Sequence, residues 1–404
     1  MTLAALQHHL PVLVVLMPLL GGLLVAIIRH PAASWPIAIA AAAASLAGAL
    51  ALSREVAANG VISYALGGFP SELGIEYRVD AVNVLILVVV SFMALATLVF
   101  ARLSVASEID EGRQPWFYTM MLVATAGLLG MAVTGDAFNA FVFLEISSLA
   151  TYTLIALGRD RRALVAAYQY LIVGTIGATF YVIGVGLLYL ATGTLNLELI
   201  AERLPEVTSP RALLAAEAFI LVGIALKLAL FPLHAWLPNA YTYAPSAATV
   251  LLASTATKVA VYLLARYIFG IFGLHREFGD ISGASLLILL SLAAMFLASA
   301  AAIFQNDVKR LLAFSSIGQI GYITLGIAIA NSDALTGAFL HIANHAVLKG
   351  AAFMAIGAIL YRCGSERLDD LAGIGRAMPV TGAVLTIDGL ALIGVPGTSG
   401  FVSK

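Results

Sequence analysis

Cysteine is nearly missing, with Cys363 the only one in 404 residues. No intrachain disulfide framework can form and no multi-cysteine metal site can be assembled, which argues against redox chemistry within the chain. Charge is scarce too: Asp, Glu, Lys and Arg together make up 11% of the residues and leave a net charge of -1. Against that stand 61% hydrophobic residues and a mean hydropathy of +1.00. Such a composition belongs to a polytopic membrane protein; its charge balance is silent about partners, and no nucleic acid is expected among them. No GxGxxG precedes a helix, there is no phosphate-binding loop, and no cluster of metal-ligating residues stands out. No cofactor and no metal are therefore expected, and no redox or hydrolytic site. The first apolar run, 10–28, has no basic stretch before it and no clear cleavage site, so it reads as a retained span rather than a leader.

What the chain has is apolar length. A bilayer core takes about 20 apolar residues per helix. On that measure helices are expected near 10–28, 34–52, 80–101, 115–134, 137–157, 164–191, 212–242, 247–268, 282–304, 308–330 and 335–361, with one more starting at 379. The fold class is thus all-α and polytopic, with about 12 transmembrane helices. The 212–242 span is too long for one straight helix and is interrupted at Phe231-Pro232, where a backbone donor is lost and the ring clashes with the preceding turn. The last span is interrupted in the same way at Gly394-Val395-Pro396-Gly397. Unwound backbone at membrane depth survives only where protein or a hydrated cavity surrounds it. Two broken helices in one chain point to an inverted-repeat transporter with its site at the breaks. Basic residues in alternate loops favour an external N-terminus, because Arg29, Arg102, Arg113, Arg159, Arg161, Arg162, Lys309, Arg310, Arg362, Arg367 and Arg376 then fall inside. Arg54, Arg78, Arg203, Arg211, Arg266 and Arg276 fall outside. Residues 61–79 read as a small external β-hairpin.

The charges that do enter the spans are of one kind. Four of the five lysines, Lys227, Lys258, Lys349 and Lys404, sit in apolar segments, whereas no arginine falls in the middle of one. A charged group at mid-membrane costs at least about 2.5 kcal/mol, so it is paired, hydrated or functional. Only Glu145, Glu217 and Asp388 are available to neutralise these lysines, which is too few for a set of fixed ion pairs. A lysine buried without a permanent partner can release its proton, which an arginine does not. His341, His345 and Lys349 follow one another at i, i+4, i+8 and share a helix face, with about 6 Å between successive groups. Imidazole passes protons through its two nitrogens, so this ladder reads as part of a relay. His234, after the first break, either joins the relay or satisfies a freed carbonyl. Glu217 and Asp388 are weaker candidates. Asp307, Lys309 and Arg310 are expected to make solvated contacts at a helix start.

Phe141-Val142-Phe143-Leu144-Glu145-Ile146, the stretch from Lys227 through Phe231-Pro232-Leu233-His234-Ala235-Trp236-Leu237-Pro238 to Tyr241, Lys258, and His345-Ala346-Val347-Leu348-Lys349 together resemble the antiporter-like proton-translocating subunits. These occur in respiratory complex I, in membrane-bound hydrogenases and in Mrp-type Na⁺/H⁺ antiporters. The resemblance covers roughly 80–404 and is greatest to the D-type subunits of the Mrp antiporters. It implies N-terminal helices and a hairpin over 1–110, a first five-helix repeat over 111–270, and an inverted second repeat over 271–404 that is cut short in its broken helix. It also implies a proton path from the Glu145–Lys227 pair through Lys258 and the His341/Lys349 helix to Lys404, with Glu145 modulating Lys227. Family members continue for two or more helices beyond the second break, so the sequence is expected to be a piece of a longer chain.

The expected function is proton translocation in a Mrp-type cation/proton antiporter of the cell membrane, with other membrane subunits as partners and protons and Na⁺ as the ions moved. A pump subunit of complex I or a hydrogenase is the alternative, in which case the chain is part of an NADH:quinone oxidoreductase without holding its redox site. A membrane subunit of an inorganic-carbon uptake complex is a further one.

Overall fold

Caps and apolar length together decide where these helices start and stop. The computed structural model describes residues 8–273 and 281–404, with 277 and 278; Arg276 lies outside them. Among the described residues, ten helices are long and apolar enough to cross a membrane: α1 (Leu10–Ile28), α2 (Pro31–Asn59), α3 (Ala81–Glu108), α4 (Gln114–Val133), α5 (Ala137–Ala156), α6 (Arg161–Thr192), α10 (Ser246–Phe272), α11 (Gly283–Ile303), α12 (Val308–Ile329) and α13 (Ser332–Cys363). Two interrupted spans complete the set. One is α8 (Pro210–Leu228) followed by α9 (Trp236–Tyr243), and the other is α14 (Pro379–Ile393) followed by α15 (Ser399–Ser403). A short helix, α7 (Leu197–Arg203), lies between α6 and α8. The chain is a multi-pass membrane protein with twelve spans among its described residues, as its apolar runs require.

Several helices outrun those runs. Segment 34–52 became Pro31–Asn59 and segment 80–101 became Ala81–Glu108. Beyond the hydrocarbon a helix costs nothing to prolong through polar residues, so hydropathy marks the membrane and not the helix end. The ends are set by Asp80, Asp136, Asp160, Asn196, Asp307 and Asn331, whose side chains accept hydrogen bonds from the first free backbone N–H groups. Asp80 and Asn83 cap one another reciprocally. The hairpin is present: β1 (Ile62–Ala65) pairs antiparallel with β2 (Glu76–Val79), Ile62 opposite Val79 and Ala65 opposite Glu76.

The sequence of elements repeats. Three continuous spans (α4, α5, α6) precede the first broken span, and three more (α11, α12, α13) precede the second. At the first break Ala229 adopts a left-handed conformation (φ 59°, ψ 42°) and the chain turns through 230–235. At the second, Gly394 does so (φ 88°). Helix α10 is the axis of the bundle, its most apolar 18-residue stretch wholly buried, and it packs against α3, α4, α8 and α13. Within it, Leu252–Ala256 forms a π turn. Large apolar side chains such as Leu190, Ile303 and Phe304 cover the outside, the surface a lipid phase requires.

At the start of α12 an expectation needs correcting. Lys309 is not solvated: it is 3% exposed and its Nζ lies 3.1 Å from the Glu366 carboxylate. The segment after α13 folds back over the start of α12, with the Val308 N–H donating to the Glu366 carbonyl at 3.0 Å, and so carries Glu366 to the lysine. Asp307 and Arg310 behave as expected of a helix start, the Arg310 N–H donating to the Asp307 carboxylate.

Candidate functional site

Helix geometry puts Glu145, Ser148 and Tyr152 on one face of α5 at i, i+3 and i+7, and the end of α8 presents Lys227 to it. The Lys227 ammonium is 5% exposed. It donates to the Ser148 hydroxyl at 2.5 Å and to the Tyr170 hydroxyl at 3.2 Å. Glu145 is half-buried and within electrostatic reach of Lys227, yet the two form no ion pair, and Glu145 Oε1 is buried without a hydrogen bond. Tyr170 is held in place by Trp236, whose ring stacks on it at 3.8 Å and 4°, and by Tyr152 edge-on at 4.7 Å. The broken span serves this arrangement twice. Its unwound end lets the Leu226 carbonyl, which also takes the Ala229 N–H, accept from Trp236 Nε1 at 3.0 Å, and its second half brings Trp236 back against Tyr170.

Lys258 belongs to a second group. It is 1% exposed; its ammonium donates to the Ala253 carbonyl and lies 3.4 Å from the Thr257 hydroxyl. The π turn is the reason that carbonyl is available, since widening the helix releases backbone acceptors from the ordinary ladder. Facing Lys258 from α13 is the expected ladder. The rings of His341 and His345 lie parallel, 5.9 Å apart at 3°, and Lys349 lies one turn on. His341 is bonded at both nitrogens, 2.8 Å from Gln319 Oε1 and 2.9 Å from the Ser403 hydroxyl. His345 is wholly buried with neither nitrogen bonded, within electrostatic reach of Lys258 and Lys349. Lys349 is wholly buried and donates to the Leu312 carbonyl at 3.1 Å and the Ser315 hydroxyl at 2.9 Å.

The far end of this group is at the second break. The Lys404 ammonium donates to the Leu392 carbonyl and stands 4.2 Å from the centre of the Tyr322 ring. Asp388, 4% exposed, has a buried oxygen without a hydrogen bond and lies within electrostatic reach of Lys349. Its place on α14 brings it near Lys349 without an ion pair, a neighbour the sequence did not identify. Glu217 is buried on α8. His234 is half-buried in the turn between α8 and α9, stacked on Phe231 at 5.1 Å, and hydrogen-bonds to none of the lysines.

Glu145, Lys227, Lys258, His341, His345, Lys349 and Lys404 thus gather into two adjacent groups, and His234 stands apart. Ser148, Tyr170, Ser315, Gln319 and Ser403 were missed by sequence reasoning. Only Ser148 had a signal, its i+3 spacing from Glu145. Among the described residues no cluster of His, Cys, Asp and Glu suited to a metal is found.

Two polar hollows bracket the groups. A cavity of about 710 Å³ at one end of the bundle is lined by Glu108, Arg159, Arg162, Lys309, Arg310 and Arg367, among others. One of about 460 Å³ at the other end is lined by Glu76, Arg78, Glu198 and Arg266. Arg266, expected in a loop, is instead on α10 and paired with Asp80 at 2.5 Å.

Residues 134–404 match the family described as NADH:quinone oxidoreductase/Mrp antiporter, transmembrane. The N-type subunit of the NADH-quinone oxidoreductase of Desulforudis audaxviator is 41% identical over 404 residues, covering 98% of this chain and 79% of the relative. The D-type subunit of the Na⁺/H⁺ antiporter of Alkalihalophilus pseudofirmus is 30% identical over 399 residues, covering 98% and 80%. Among solved structures, a chain of the Mrp complex from Dietzia superposes with a TM-score of 0.89 at 29% identity, over 100% of this chain and 73% of that one. Relatives of both kinds are similar along nearly the whole chain, so the likeness does not single out the Mrp type.

Proposed function

Since the chain belongs to the NADH:quinone oxidoreductase/Mrp antiporter family of membrane subunits, we propose that it moves protons across a cell membrane as one subunit of a larger assembly. The observation that carries this reading is the company its buried lysines keep. Lys227, Lys258 and Lys349 are each at most 5% exposed, and their hydrogen bonds go to hydroxyls and backbone carbonyls, with no carboxylate in ion-pair contact. A permanent structural charge in a membrane would be neutralised. A proton carrier must be able to lose its charge, and neutral partners allow both states.

Glu145 acts as the switch in this reading: near but not bonded to Lys227, it favours the charged lysine when it approaches and releases the proton when it withdraws. Lys258, His345, His341 and Lys349 carry the proton onward towards Lys404, with the five-helix repeats over 111–270 and 271–404 providing the two halves of the path and the cavities at the two ends its openings. In inverted vesicles carrying the complete assembly, Lys227→Ala should abolish transport, followed with a pH-sensitive dye, while the assembly still forms. Wild-type transport in that variant would end the proposal.

Two sources of energy fit. The sequence motifs lean to a Mrp-type antiporter exchanging protons for Na⁺, whereas the relative at 41% identity is named as a subunit of an NADH-quinone oxidoreductase. That identity favours a pump driven by electron transfer in neighbouring subunits. Adding Na⁺ to vesicles with a preformed pH gradient separates them: dissipation that Lys227→Ala lacks means an antiporter. Indifference to Na⁺, with acidification when an electron donor is supplied, means a redox pump.

A further inference from the structure

The two groups of buried charges are separated by a gap that no lysine or histidine spans. On one side the chain of contacts ends at Tyr170, whose hydroxyl takes a hydrogen bond from Lys227. On the other it begins at Lys258. Between them stands Tyr241, on α9, fully buried and within electrostatic reach of Tyr170. Its hydroxyl donates to the Leu252 carbonyl at 3.2 Å and lies near the Thr257 hydroxyl, which is itself 3.4 Å from the Lys258 ammonium.

The π turn of α10 organises this junction. Its carbonyls at Leu252 and Ala253 accept from Tyr241 and Lys258, so one local widening brings both side chains to the same stretch of helix. Tyr241 comes from the far half of the broken span, five residues after Trp236, the residue that fixes Tyr170. The break therefore carries one aromatic group to each side of the gap.

We propose that the hydroxyls of Tyr170, Tyr241 and Thr257 are the passage by which a proton crosses from Lys227 to Lys258. This rests on the reading of both lysines as proton carriers. The Lys227 ammonium gives a proton to the Tyr170 oxygen as Tyr170 passes its own proton to a water molecule between the two phenols. That water passes one of its own to Tyr241, and Tyr241 and Thr257 each receive one proton and give one up in turn, the last to the free amine of Lys258. Every hydroxyl and the water end with the protons they began with. Lys227 has lost one and Lys258 has gained one.

The test measures proton transport by the complete assembly in inverted vesicles. Tyr241→Phe, which removes one oxygen, should slow transport at least tenfold at unchanged assembly and enlarge the solvent deuterium effect, because the crossing becomes the slow step. Thr257→Val should do the same and Thr257→Ser should restore transport. Thr255→Val, which loses a hydroxyl of the same π turn that donates to the Leu251 carbonyl and to no lysine, should transport normally. Should Tyr241→Phe fail to assemble, the Thr257 pair decides alone. Wild-type rates in Thr257→Val, with Lys227→Ala inactive, would overturn the passage and leave the carrier reading standing. Equal losses in Thr255→Val and Thr257→Val would make the effect structural and overturn it too. Wild-type transport in Lys227→Ala would sink both.

Discussion

A wholly buried imidazole with neither nitrogen bonded is costly, because leaving a polar group unsatisfied in a low-dielectric interior sacrifices about 1–3 kcal/mol. His345 is in that position, between His341 and Lys349. If packing were its role, leucine would serve better. His345→Leu should therefore raise the thermal unfolding midpoint of the assembly while cutting transport tenfold or more; a fall in both would mean that the imidazole has a structural partner. Lys258 offers a complementary test. Arginine keeps the charge and some reach but does not release its proton at any accessible pH, so Lys258→Arg should assemble and fail to transport, and turnover in that variant would assign the residue an electrostatic role only. These lysines and histidines were legible in the sequence because a charge inside an apolar run has few innocent explanations. Their partners were not. A serine or tyrosine in a span is commonplace, and whether Ser148, Tyr170 or Ser315 meets a lysine depends on helix rotation and packing, which hydropathy does not encode.

Broken helices are elements whose purpose lies in their interruption. The first half of the first broken span ends at Ala229 in a left-handed conformation that costs a residue with a Cβ about 1–2 kcal/mol, whereas the first half of the second broken span ends at Gly394, which adopts it freely. Ala229→Gly should accordingly raise stability by about 1 kcal/mol, read from the unfolding midpoint, and leave transport within twofold of wild type. A drop in stability would show that the alanine methyl packs for more than the strain it incurs. At the other end of the site Asp80 both caps α3 and pairs with Arg266 on α10. Asparagine retains the cap and loses the pair, so Asp80→Asn should cost less than Asp80→Ala by roughly the 1 kcal/mol of an N-cap, measured on the same transition. The breaks were visible beforehand because proline and glycine runs have local physical causes. The π turns in α10 and α11 were not, since they depend on which carbonyls neighbouring side chains claim.

At the scale of the whole molecule, the direction of the path depends on which face of the bundle meets the cytoplasm. Arg159, Arg162, Lys309, Arg310 and Arg367 line one cavity, and Arg78 and Arg266 line the other. Lys and Arg are retained on the cytoplasmic side of a membrane, so we propose that the larger cavity faces the inside and the β-hairpin and the N-terminus the outside. Cys363 makes this testable without engineering. It is the single cysteine, it is exposed, and it closes α13 beside Tyr361 and Gly364 of the larger cavity. A maleimide too polar to cross the bilayer should label it in inverted vesicles and not in right-side-out ones. The reverse pattern would turn the protein over. The β-hairpin and the smaller cavity would then face the cytoplasm, and the larger cavity the outside.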